Sequence, residues 1–308
     1  MGDNEKMKWV YQRFLFIIIV FFFTARLLVA GNNGLAFLKI DVDARAAALG
    51  GAYSALSEDA TAVFWNPAGL ASSKEKSLVL MHNEWLADIS QEFAALQFYQ
   101  GKHNFALALN LLNIPGIEIR GNTPTENPDG VVDAINLSAA LSYATTIFDS
   151  WQIGGSFKYL HEKYFMAAAN GWAVDVGVQK RFGENIRTGL TIQNLGGMQP
   201  LLNVSTPLPA LARAGIAYSL PFSFLDRRPL VAGDLQYVFG EEVLGRFGLE
   251  FGFKQYLALR MGYVAGSETQ NFTMGLGLEY SGYHLDYAYA PFEYDLGNTH
   301  RISFGFSF

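Results

Sequence analysis

The 308-residue chain has no cysteine. That excludes disulfides, cysteine-ligated metal centres and an acylated N-terminal cysteine, and it fits an envelope protein that is stable without disulfide staples. Charge is also scarce. Only 16% of residues are Asp, Glu, Lys or Arg, and the net charge is -6. No Lys/Arg cluster is dense enough for a nucleic-acid groove, and a soluble sandwich or propeller of this length would carry more charge on its exposed faces. Half of the residues are hydrophobic, yet beyond residue 30 no apolar run approaches the roughly 20 residues of a membrane helix. Catalytic spacings are missing as well. His82, His103, His161, His284 and His300 form no HExxH or comparable set, and there is no GxSxG elbow, phosphate loop or dinucleotide fingerprint. His284, Asp286 and Glu279 come together by strand parity and read as satisfied interior polar groups. No enzyme, metal or cofactor is expected.

What the chain does have is alternation. At its end Ile302, Phe304, Phe306 and Phe308 are large and apolar, while Arg301, Ser303, Gly305 and Ser307 between them are polar or small. Successive strand side chains point to opposite faces, so this segment asks for an apolar medium on one side and a polar one on the other. From residue 76 onward the pattern divides into fourteen segments bounded by turn signals: 76–83, 90–100, 103–113, 131–145, 150–162, 169–182, 186–195, 209–220, 228–239, 243–253, 256–265, 270–280, 283–290 and 299–308. An even number suits a closed single-chain barrel with both ends on one side. Gly101-Lys102, Gly183 to Asn185, Lys254-Gln255 and Ser281-Gly282 are tight connections; 114–130, 196–208 and 291–298 are long. The long connection 220–228 on the short side is an exception that suggests a misplaced strand boundary.

A final strand ending in Phe, here carrying Phe304, Phe306 and Phe308, resembles the assembly signal of bacterial outer-membrane barrels. The expected fold class is all-β, a 14-stranded antiparallel transmembrane β-barrel with a short N-terminal helical plug. Lys6, Lys8 and Arg13 ahead of the apolar run 14–25 and a small-residue boundary at Ala30 read as a signal peptide over residues 1–30. Export to the outer membrane follows, with bilayer lipid as a partner. Parity places Phe105, Leu107, Leu109 and Leu111, and likewise Phe272, Met274, Leu276, Leu278 and Tyr280, toward lipid. The opposite parity turns Asp175, Arg213, Asp234, Arg246, Glu250, Arg260, Glu279 and Asp286 inward, together with Lys158, Arg187, His284 and Arg301. A charge at the bilayer midplane costs roughly 2 to 4 kcal/mol, so this assignment is strongly constrained.

Residues 31–75 precede the barrel, residues 76–308, and look unlike it. Ala44 to Leu49 favours a helix ended by Gly50-Gly51, and Ser57, Glu58 and Asp59 open a second helix, Ala60 to Trp65, stopped by Asn66-Pro67. Two such short helices need a home inside the barrel, where they form a hatch. Arg45 is expected to pair with Asp234 or Glu250. The string from Arg45 through Gly50, Gly51 and Tyr53, then Asp59, then Asn66, Pro67, Ala68, Gly69 and Leu70, closely resembles the N-terminal signature of the PorV/PorQ family, within the wider FadL-like superfamily of 14-stranded barrels. The resemblance implies a hatch-bearing outer-membrane barrel with a role in type IX secretion. It further implies partners among secreted proteins bearing a C-terminal sorting domain, or among secretion components. The FadL-like alternative is a transporter in which a small hydrophobic molecule binds between hatch and wall. Ile114, Pro115, Ile117, Leu201, Leu202 and Val204 would line the rim in either case.

Overall fold

A computed structural model describes residues 33–308 except 123, 124, 149, 202, 204–206 and 242. The expected signal peptide lies outside the described residues, as do Leu202 and Val204. Fourteen strands follow one another: β1 (Ser77–Glu84), β2 (Ser90–Gln100), β3 (His103–Ile119), β4 (Gly130–Ile147), β5 (Trp151–Tyr164), β6 (Ala167–Phe182), β7 (Ile186–Met198), β8 (Leu211–Ser219), β9 (Leu230–Val238), β10 (Val243–Phe253), β11 (Leu257–Ala265), β12 (Phe272–Tyr280), β13 (Tyr283–Pro291) and β14 (Asn298–Ser307). Each pairs antiparallel with its sequence neighbours, and β14 closes the barrel on β1 with Leu80 opposite Phe304.

The alternation sorts the two faces as its period requires. Phe272, Met274, Leu276, Leu278 and Tyr280 are all exposed on the outside of β12, while Thr273, Gly275 and Gly277 are buried. Leu107 and Leu109 are half exposed, and Ala106 and Ala108 between them are buried. An apolar exterior running round every strand has no stable place in water and suits lipid.

Three local features depart from expectation. β3 runs on to Ile119, so the connection expected over 114–130 shrinks to 120–129, and Ile114, Pro115 and Ile117 belong to a strand rather than a loop. The reason is a bulge: Gly116 at φ 73° absorbs the proline while pairing with β4 resumes at Ile117. Residues 220–229 are a true long connection and not a misplaced boundary. They fold on themselves through Leu220 N–H to Pro229 O (2.8 Å) and an isolated pairing of Phe224 with Arg227. The second helix starts at Ala62, not Ala60, because Asp59 Oδ1 accepts from Thr61 N–H at 2.9 Å and holds 59–61 in a turn.

The segment before β1 runs the length of the interior. It begins at the rim that carries the long loops, where Asn33 Nδ2 donates to Glu241 (2.7 Å) and Gly34 N–H to Pro207 O (3.0 Å). It ends at the opposite rim, where Lys76 N–H donates to Phe308 O (3.2 Å). Between them lie helix α1 (Ala44–Ala48), helix α2 (Ala62–Trp65) and 3-10 turns at Ala36–Lys39 and Pro67–Ser72. Asp43 caps α1 through its carboxylate, Gly50 and Gly51 end it at φ 65° and 74°, and Leu49, Tyr53, Trp65 and Leu70 belong to the buried apolar heart of the whole segment.

Candidate functional site

Among the described residues, charge pairs hold the hatch to the wall at four places. Arg45 grips Glu250 with two hydrogen bonds of 2.9 Å, and Glu250 also accepts from Arg260 at 2.6 Å, which continues to Asp286. Of the two carboxylates expected to face Arg45, the structure selects Glu250; Asp234 instead accepts from the Ser54 N–H at 2.9 Å. Asp41 pairs with Arg246 at 2.8 Å, Glu58 with Arg181 and Arg187, and Lys39 with Glu241 at 2.6 Å. Arg213 is wholly buried and lies 4.5 Å over the Trp65 ring, where the aromatic face receives its charge. Asp175 pairs with Lys158 at 2.6 Å, and Glu279 with Arg227 of the 220–229 connection at 2.6 Å.

Backbone contacts complete the attachment. Asn66 Oδ1 accepts from Ala68 N–H (3.2 Å), while its Nδ2 donates to Ser54 O (3.0 Å) and Val178 O (3.2 Å). One amide thus caps the turn at Pro67, ties two hatch segments together and reaches β6. Gly177 faces that amide and Gly262 faces the Gly50 backbone, each so closely that a Cβ would collide. Gly69 is pressed against the Ser57 carbonyl in the same way.

The hatch divides the lumen into two chambers. The one at the long-loop rim encloses about 420 Å³ between apolar walls that include Phe37, Ile40, Trp85, Ile114 and Phe292, over a polar floor of Asp41, Arg246 and Arg301. Trp85 and Phe292 meet edge to face at 5.2 Å across the β1–β2 and β13–β14 connections. Ile114 and Leu201 pack against the hatch cluster of Leu35, Phe37 and Leu38, whereas Ile117 is exposed and Pro115 half-buried. The other chamber, of about 260 Å³, is lined by charge: Asp43, Arg45, Glu250, Arg260, Asp286 and His284 among others. Phe304 and Phe308 are exposed on the outer face, and Phe306 stacks on Tyr283 at 4.5 Å. Asp41, Trp65 and Glu58 have site contacts that the hatch motif did not single out; their signal in the sequence was an inward-facing cation on the wall for each.

Asp43 makes the hatch sensitive to rising pH. Its carboxyl is raised from 3.8 to about 7, first by burial and then by the negative charges of Asp286 and Asp59. Between those values the unfolded chain has released this proton and the folded chain still holds it, so this group's contribution to stability falls as pH rises from 3.8 to about 7. Asp43→Asn is expected to flatten that part of the slope, read as the urea midpoint of the detergent-solubilised barrel against pH. Superimposable profiles for the two proteins would remove Asp43 from this role.

A closed fourteen-strand barrel, apolar outside and filled by its own N-terminal segment, is an outer-membrane β-barrel of the plugged kind. The chain belongs to the PorV family: the family model for the type IX secretion system protein PorV matches residues 28–197. No curated protein matches. Among solved structures the chain is similar to the CymD monoaromatic hydrocarbon channel, at 12% identity and a TM-score of 0.57 over 90% of this chain and 98% of that one. It is also similar to a TodX monoaromatic hydrocarbon channel deltaS2 mutant, at 12% identity and a TM-score of 0.59 over 86% and 97%. A Pseudomonas aeruginosa FadL homologue aligns at 10% identity and a TM-score of 0.52 over 83% and 94%. At these identities the likeness concerns the fold.

Proposed function

We propose that this barrel works without catalysis as a secretion-associated receptor, holding exported cargo or secretion components at its long-loop rim, which faces outward. Family membership supplies the context. The observation that carries the reading is the asymmetry of the lumen: a basin with more apolar than polar lining at the long-loop rim and a charged chamber at the other, separated by a segment paired to the wall. A protein surface with apolar side chains fits the first, and the ion pairs keep solutes from passing.

Phe292→Asp places a charge at the basin's rim without touching the hatch. It is expected to lower retention of secreted proteins by tagged barrel from gently solubilised outer membranes about tenfold or more, as for a central interface aromatic. The heat-modifiable barrel band should be unchanged. Undiminished retention would take the basin out of the recognition surface. The second reading, a channel for small hydrophobic molecules, is favoured by the basin's position between hatch and wall. It takes first place if the same eluate yields a stoichiometric lipophilic molecule and no protein.

A further inference from the structure

We infer that Lys158 and Asn194 join in an intramolecular amide bond, a crosslink the chain makes for itself between β5 and β7. Three polar side chains from adjacent strands meet in the wall's interior. Lys158 Nζ donates to Asn194 Oδ1 at 2.9 Å and lies 2.6 Å from Asp175 Oδ2 on the intervening strand β6. Asp175 Oδ1 accepts from the Asn194 backbone N–H at 2.8 Å. Lys158 is 5% exposed, Asn194 2% and Asp175 not at all.

Irregular backbone builds this trio. Gly189, Thr191 and Gln193 mark the inward side of β7, and strict alternation would send Asn194 out to lipid. Instead the pairing of β6 with β7 shifts register between Val174 and Val176, and Asn194 takes φ 62°, so its side chain turns inward beside the lysine. A bulge re-aims a side chain, and a left-handed non-glycine residue persists only where its surroundings hold it.

An amine held against an amide carbonyl and next to a carboxylate, away from water, is placed for aminolysis. Asp175 takes a proton from the Lys158 ammonium. The freed lone pair attacks Asn194 Cγ, one bond beyond the oxygen that Nζ touches. As the tetrahedral carbon collapses, a second lysine proton passes to Nδ2, which leaves as ammonia and carries off the proton left on Asp175 as ammonium. One C–N bond forms and one breaks, with no change of oxidation state and no cofactor. Pro209 O accepts from Nδ2 at 3.1 Å and fixes the amide plane for this step.

Tryptic mapping of the purified full-length barrel tests it. Trypsin does not cut after an acylated lysine, so the expected product is a branched peptide joining residues 121–163 to 188–213, lighter by one ammonia than the two linear peptides together. Cleavage after Lys158 with intact Asn194 in the folded, heat-modifiable protein overturns the inference. Lys158→Arg is expected to abolish the branch. Asp175→Asn is expected to abolish it as well; a branch that survives in this variant overturns the assignment of Asp175 as the proton acceptor.

Discussion

Gly51→Val is expected to remove most folded barrel from the outer membrane, seen as loss of the heat-modifiable band. Gly51 sits at φ 74°, where an L-residue costs roughly 1–2 kcal/mol and a β-branched one more. Any Cβ there would also strike the Arg246 guanidinium and the Asp41 carboxylate, the pair that bolts the hatch to β10. Separating a buried pair costs about 3–5 kcal/mol. Together these approach the whole stability of a typical domain, about 5–15 kcal/mol. A band of normal intensity would mean that Asp41 and Arg246 can yield without loss, and that the hatch is not tightly packed at Gly51.

Glu250→Ala should produce the second-largest effect. It strands two guanidinium groups at once, those of Arg45 and Arg260. The cost belongs near the lower end of the roughly 3–5 kcal/mol for a broken buried pair, because Arg45 keeps 35% side-chain exposure and Arg260 keeps Asp286. The urea midpoint of the solubilised barrel is expected to fall, and single-channel conductance in planar bilayers to rise as the hatch loosens on that side. Glu250→Gln retains one acceptor and should fall between. Wild-type midpoint and conductance in the alanine variant would show that this tie does not hold the hatch.

The strand count and the sorting of faces were legible because each rests on a period of two residues. Phe272 to Tyr280 shows both faces in nine consecutive letters. The extent of β3 was not legible: Ile114-Pro115-Gly116 reads locally as a turn, and only the continuing ladder with β4 makes it a bulge. The same limit hid Asn194, whose inward direction depends on a bulge in β7 that only its pairing with β6 reveals. Within the hatch, the glycine pair and Asn66-Pro67 announced chain reversals, but their partners could not be read. Arg45 had two candidate carboxylates on inward positions, and the choice of Glu250 over Asp234 depends on α1 packing against β11 to β14, which brings its arginine to Glu250 on β10. Asp41 could be matched to no particular one of the inward-facing cations, since 205 residues separate it from Arg246.

The N-terminal segment touches one rim at Asn33 and the other at Lys76, with a sheet closed by β1 and β14 around it. Such an arrangement has the topology of a cord through a ring. Once the first and last strands have zipped, residues 33–75 cannot be laid in sideways, and drawing them in lengthwise would mean breaking every ion pair in turn. The wall therefore has to be rolled around a segment already lying along its axis, which makes the joining of β14 to β1 the step that locks the molecule.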